Sequence, residues 1–98
     1  MTIQKSRKEN ELILAVEGRL DTTTAPALET VIKSELAGVT SLVFDFSKLE
    51  YVSSAGLRVL LAAQKIMNAQ GAMKVTGVND IVAEIFDITG FSDILTIE

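Results

Sequence analysis

Apolar and polar positions along this chain follow two periods. From Glu11 to Gly18, Leu12, Leu14 and Val16 alternate with Ile13, Ala15 and Glu17, and a period of two predicts a strand. Ile3 lies in a shorter, more polar run before it. Arg7-Lys8-Glu9-Asn10 between them reads as a hairpin turn that lacks the Asn-Gly signal, which predicts an antiparallel edge hairpin. Leu28, Val31, Ile32 and Leu36 then recur at helical spacing. Ala25-Pro26 opens that helix, one of Thr22, Thr23 and Thr24 is expected to cap it, and Gly38 to end it.

Ser41-Leu42-Val43-Phe44-Asp45-Phe46 is almost continuously apolar, as a central strand covered on both faces would be. Ser47 to Val52 reads as a loop with a short extended piece. A second helix is predicted from Ser53 or Ser54 to about Gln70, stopped at Gly71. Ala72 to Val75 is a short strand. Asn79 or Asp80 caps a third helix carrying Ile81, Val82, Ile85 and Phe86, closed by Gly90, and Ile94-Leu95-Thr96-Ile97 is a last strand. The predicted order is β-β-α-β-α-β-α-β. It implies an α/β domain over residues 1–98 with a mostly parallel sheet of four or five strands, an antiparallel edge hairpin, and helices mainly on one face.

Composition narrows the chemistry. The chain has 98 residues, a net charge of −4, and neither histidine nor cysteine. A disulfide framework, a thiol nucleophile and an imidazole base are thereby excluded, and no acid pair has metal-ligand spacing. The acidic balance argues against nucleic acid. Aromatics are only 5% while apolar residues are 48%, so the core must be aliphatic. No apolar run reaches the length of a membrane span, and Met1-Thr2-Ile3-Gln4-Lys5 lacks the apolar stretch of a secretion signal. A cytoplasmic location is the resulting expectation.

The richest segment runs from Asp45 to Arg58. A buried strand ends, a loop follows, and a helix opens with Ser53-Ser54-Ala55-Gly56. Unpaired N–H groups and a positive dipole end make such a start suited to a phosphate. Plain N-capping by serine explains the same residues, and Gly56 admits close approach of another backbone or a nucleotide. The run is neither a P-loop nor a nucleophile elbow. Leu57, Leu60, Leu61 and Met67 form a core stripe on this helix. Val59, Ala62, Ala63, Ile66 and Ala69 widen it beyond what a one-sided helix needs, which suits either burial against neighbouring helices or a docking face. Asp21 is either a turn or cap residue, or an acid placed beside Ser54 by adjacent parallel strands. Lys5, Arg7 and Lys8 read as a solvated basic face.

Val16-Glu17-Gly18-Arg19-Leu20-Asp21, Leu42-Val43-Phe44-Asp45-Phe46-Ser47 and Tyr51-Val52-Ser53-Ser54-Ala55-Gly56-Leu57-Arg58-Val59-Leu60 together resemble a STAS domain, and more narrowly a stand-alone bacterial anti-sigma factor antagonist. The resemblance extends to Thr89-Gly90-Phe91 and Ile94. It implies a regulatory binding module rather than an enzyme. The unmodified form would bind an anti-sigma factor that is also a serine kinase, freeing the sigma factor. The kinase would use its own ATP and Mg²⁺ to phosphorylate a serine at the start of helix two, and a PP2C-type phosphatase would reset it. By position that serine is Ser54, with Ser53 as the other candidate. Many members carry Asp where Ser53 stands. The partner surface implied comprises Asp21, Thr22, Thr23, Ser53, Ser54, Ala55, Gly56, Leu57, Arg58, Val59 and Ala62. No cofactor or metal of its own, no membrane contact and a monomeric free state are expected. The alternative is a non-switching STAS scaffold or interaction module in another regulatory or transport complex.

Overall fold

The computed structural model describes all residues from Met1 to Glu98. Its elements are β1 (Thr2–Lys8), β2 (Glu11–Leu20), α1 (Ala25–Glu35), β3 (Ser41–Asp45), β4 (Leu49–Val52), α2 (Ser54–Gln70), β5 (Ala72–Thr76) and α3 (Asp80–Thr89), followed by a 3-10 turn at Phe91–Asp93. β1 and β2 form the expected antiparallel hairpin, with Lys8 opposite Glu11 and Glu9 in the left-handed region at the turn. β2, β3 and β5 are parallel neighbours, and β4 pairs with β2 beyond the end of β3.

Register makes one sheet face apolar. Leu12, Leu42 and Met73 sit in one row, Leu14, Phe44 and Val75 in the next, and all six are buried. These rows join the buried residues of all three helices in a single core, so the helices cover that face. Val43 lies outside this cluster although it is only 8% exposed. It shares the opposite face with Ile13 and Lys74. Phe44 and Phe46 meet with ring centroids 5.5 Å apart, an aromatic pair within a largely aliphatic core.

Two departures from the expected element order have local causes. Asp45 ends β3 early, because its carboxylate accepts from the Ser47 N–H at 3.0 Å. That bond is the leading cause holding the Asp45 carboxyl below its ordinary range. The chain then turns, and Leu49–Val52, expected only as an extended piece, becomes a true strand on β2. Conversely, the last predicted strand is reduced to one bridge between Val75 and Ile97. The N–H groups of Ile94 and Leu95 both turn back to Phe91 C=O, so only the final residues remain to pair with Val75.

Smaller corrections follow the same logic. No threonine hydroxyl caps α1. Thr24 occupies the N-cap without a side-chain cap bond, and α1 stops at Glu35, short of Gly38. Lys5 and Arg7 are not merely solvated: Lys5 pairs with Glu35 at 2.9 Å, and Arg7 donates to the Glu35 and Ala37 carbonyls. These cations hold the negative end of α1 against β1. On α2, Leu61 is only partly buried, whereas Val59 and Ala63 are inside. On α3 the inward residues are Val82 and Phe86, while Ile81 is exposed.

Candidate functional site

β2 and β4 carry the site because their parallel pairing sets Leu20 beside Val52. The next residues, Asp21 and Ser53, therefore leave the sheet at the same end. Ser53 N–H donates to Leu20 C=O at 2.8 Å, which ties the start of α2 to β2. Ser53 is the N-cap: its backbone is extended and its hydroxyl accepts from the Gly56 N–H at 3.5 Å. Ser54 is the first helical residue and is exposed, with no hydrogen bond from its hydroxyl to protein. Capping and an available hydroxyl thus fall to different serines.

Gly56 explains how α2 can begin so close to the sheet. A Cβ there would lie 2.7 Å from Leu20 Cγ, 2.8 Å from Val52 Cγ2 and 3.0 Å from Leu20 O. The glycine is needed for contact inside the domain; the approach it permits is to the chain's own strands, not to a nucleotide.

Asp21 and Ser53 share one end of the sheet, but the Asp21 carboxylate is committed to its own loop. Its Oδ1 accepts from the Thr23 N–H at 3.0 Å, the Thr23 hydroxyl at 2.8 Å and the Thr24 N–H at 3.2 Å. The hydroxyls it organises are threonines, not Ser54. Thr24 Oγ1 accepts from the Asp21 N–H and donates to Arg19 C=O. Arg19 stacks over Tyr51 with its guanidinium carbon 4.5 Å from the ring centroid, a cation–π contact that joins β2 to β4. The Thr23 hydroxyl is the main cause holding the Asp21 carboxyl below its usual value; desolvation opposes it, and the Thr23 and Thr24 N–H groups and the Thr24 hydroxyl add to the lowering.

A pH dependence follows. A carboxyl depressed on folding contributes stability that is fully present above its unfolded pKa and is lost as pH falls through the folded one. Asp21→Asn keeps an acceptor oxygen but not the charge. At neutral pH the variant is expected to melt below the parent, and the gap to close on acidification below the ordinary aspartate range. Paired thermal melts check this; a gap that persists in strong acid would show that charge is not what holds the loop.

Between the first turns of α1 and α2 lies a groove of about 180 Å³ lined by Thr22, Ala25, Pro26, Glu29, Ala55, Arg58 and Val59. This is below the roughly 300 Å³ at which small-ligand pockets begin, so it suits a protruding side chain of a protein better than a nucleotide. Of the residues assigned to a partner surface, Thr22, Thr23, Ser54, Arg58 and Ala62 are exposed, and Asp21, Ser53 and Ala55 partly so. Gly56 and Leu57 are buried under the helix, and Val59, only 4% exposed, forms the groove floor. These three support the surface rather than present it. Arg19, Pro26 and Glu29 were not singled out from sequence. The i, i+4 spacing of Ala25 with Glu29 on α1 is the signal that places Glu29 on the face that Ala25 lines. No cluster of acidic side chains has the geometry of metal ligands, and no helix is long and apolar enough to cross a membrane.

The domain thus sets a serine-opened helix beside an aspartate-organised loop at one end of a mixed, mostly parallel sheet. The STAS domain family model matches residues 2–98, and the chain belongs to that family. Among relatives, BtrV of Bordetella bronchiseptica, provisionally named an anti-sigma factor antagonist, is 31% identical over 99 residues, spanning 99% of this chain and 85% of that protein. A crystal structure of an anti-sigma factor antagonist from Mycobacterium paratuberculosis superposes with a TM-score of 0.88 at 26% identity, covering 98% of this chain and 83% of that one. The antagonist SpoIIAA in its unphosphorylated form superposes with a TM-score of 0.86 at 17% identity, covering 99% and 88%. Its phosphorylated form from Bacillus gives 0.69 at 16%, covering 99% and 91%. At such identity SpoIIAA shows the shared fold. The chain is thus placed in a regulatory, non-enzymatic family of anti-sigma factor antagonists.

Proposed function

We propose that this protein is an anti-sigma factor antagonist that works by partner switching at Ser54. The unphosphorylated form binds an anti-sigma factor with serine kinase activity and so releases a sigma factor. That kinase, using its own ATP and Mg²⁺, phosphorylates Ser54, and the antagonist lets go. A PP2C-type phosphatase restores it. The free protein is a cytoplasmic monomer and needs no cofactor. The observation that carries this reading is the division of labour at the start of α2. Ser53 is spent on capping, while Ser54 is exposed with its hydroxyl free. SpoIIAA, which shares the fold, exists in both unphosphorylated and phosphorylated forms.

A phosphate on Ser54 adds about −1.5 to −2 charge at neutral pH and sits at the positive end of α2. Arg58 lies one turn on and makes no ion pair in the unmodified protein. An i, i+4 pair with the phosphate adds to the dipole term, so phosphorylation is expected to stabilise the domain by about 0.5–1 kcal/mol. Melting curves of modified and unmodified protein read this directly. Arg58→Ala should remove part of the gain, and an identical gain in that variant would rule out the pairing.

The function is tested by intact mass and site mapping of the protein from its own cells, with and without phosphatase treatment. One removable phosphate on Ser54 is the expected result. The same phosphate on Ser53 keeps the switch and moves its site. No phosphate under any growth condition overturns the switch in favour of a non-switching STAS scaffold.

A further inference from the structure

Two parallel stripes run along α3. Ile81, Ile85 and Ile88 recur at i, i+4 and i+7, and Asp80, Glu84 and Asp87 repeat that spacing one residue earlier. Val82 and Phe86 face the core, so the isoleucine stripe is not the packed side. Ile81 is 59% and Ile88 77% exposed, the two most exposed of the large apolar side chains. Ile85 sits half-buried at the core's edge. Single exposed isoleucines are ordinary, but a contiguous stripe rimmed by charge is not.

Both stripes are unfavourable in the isolated domain. The isoleucines leave apolar area in water, and acids spaced i, i+4 and i, i+3 repel one another. The helix dipole favours Asp80 in the first turn and the Ser92 hydroxyl donates to Asp87, but no cation pairs with any of the three acids. An unpaired acidic stripe beside an exposed apolar one is the pattern of a functional surface. The global charge agrees. Asp80, Glu84, Asp87, Asp93 and Glu98 are the only charged side chains after Lys74, and residues 1–74 hold nearly equal numbers of acids and bases. The excess of acids behind the net charge of −4 therefore comes entirely from this segment.

We propose that the exposed face of α3 is a second docking surface, for a basic amphipathic helix of another protein. Such a helix would bring apolar side chains at i, i+4 and i+7 bordered by lysines or arginines, and would relieve both penalties at once. Charge selects this occupant. Anionic lipid and nucleic acid are repelled by the acidic stripe. A second copy of the chain fits poorly. Its Lys5 and Arg7 are engaged with the end of α1, and on α2 the cations Arg58 and Lys65 border mainly the small Ala62 and Ala69, with Ile66 the one larger exposed side chain. No residue lining the groove between α1 and α2 belongs to α3. The antagonist can thus hold one protein at its α1–α2 groove and another at α3, and this inference does not rest on Ser54 being a switch.

The test is a ¹⁵N-resolved NMR titration of the full chain with a synthetic helical peptide. The peptide carries leucines at i, i+4 and i+7 flanked by lysines, and a matched peptide carries glutamates in place of the lysines. The expected result is shifts centred on residues 80–89, salt-sensitive binding, and at least about tenfold preference for the lysine peptide. Ile88→Ser, at a solvent-exposed position, should weaken that binding about tenfold, while Ser54→Asp leaves it unchanged. Absence of binding, shifts centred on α2 or the Thr22 loop, equal affinity for the two peptides, or an unaffected Ile88→Ser variant would each overturn the proposal. Sedimentation of the chain alone adds a further arm: a dimer abolished by Ile88→Ser would assign the surface to a second copy and overturn it as well.

Discussion

Ser54→Asp is expected to fold normally yet bind the anti-sigma factor about 10²- to 10³-fold more weakly than the parent, whereas Ser54→Ala binds constitutively. Position decides the first half of this statement. Ser54 is exposed and begins α2, so a negative charge there meets the favourable end of the helix dipole and costs the free domain nothing. The second half is a matter of complementarity. A partner surface shaped for a neutral hydroxyl must desolvate the new charge or face it with like charge. A loss of roughly 3–4 kcal/mol from such a mismatch corresponds to that range of affinity. No movement of the antagonist is required. Calorimetric titration of the anti-sigma factor with the three proteins, alongside their thermal melts, provides the measurement. Parental affinity in a correctly folded Ser54→Asp protein would remove Ser54 from the interface, and Ser53→Asp then becomes the variant to compare.

Gly56→Ala is expected to destabilise the domain by about 2–3 kcal/mol, the upper part of the range for overpacking. For a domain of this length that lowers the melting temperature by roughly 10–20 °C. The added methyl would press on Leu20 and Val52 side chains and on Leu20 C=O, all within 3.0 Å. Leu20 and Val52 are themselves 0% and 1% exposed, so neither has room to withdraw. The start of α2 must instead lift from β2 and β4. That lift would strain the Ser53 N–H bond to Leu20 C=O and carry Ser54 and Arg58 out of register with the Thr22 loop. Partner binding should therefore fall together with stability. Thermal melting is the check, and an unchanged melting temperature would mean that α2 rides further from the strands than its backbone placement requires.

Much of this architecture is legible before folding is considered. The alternation of Leu12, Leu14 and Val16, the unbroken run Leu42-Val43-Phe44, and the helical spacing of Leu28 and Ile32 each report their own element, because side-chain periodicity follows directly from backbone geometry. The boundaries of α2 were equally visible, since Ser53-Ser54 and Gly71 are residue types with local conformational reasons to start and stop a helix. Ser54 is a candidate through a motif whose parts are contiguous in the chain, and the structure shows only that it is exposed at the start of α2.

Other features were illegible for a common reason: they depend on which of several locally acceptable partners a group meets. Asp21 could turn toward Ser54 or toward its own threonines, and only the assembled loop shows that Thr23 and Thr24 take its Oδ1. Lys5 and Arg7 look solvated until α1 folds back and places its terminal carbonyls beside them. Val59 and Leu61 are equally apolar, yet contact with α1 and the sheet buries one more than the other. The last strand failed because backbone groups at Ile94 and Leu95 had a nearer acceptor in Phe91.

The chain alone thus specified the type and order of most elements, the aliphatic core and the serine-led opening of α2, all properties of residues close in sequence. Tertiary packing decided the rest: Gly56 as a point of contact with Leu20 and Val52, Ser53 as cap and Ser54 as the exposed hydroxyl, and Val82 and Phe86 rather than Ile81 as the inward side of α3. A helix that is apolar over more than one stripe does not declare which stripe is core. That choice is made by the neighbouring strands, whose register sets where buried volume has to be filled.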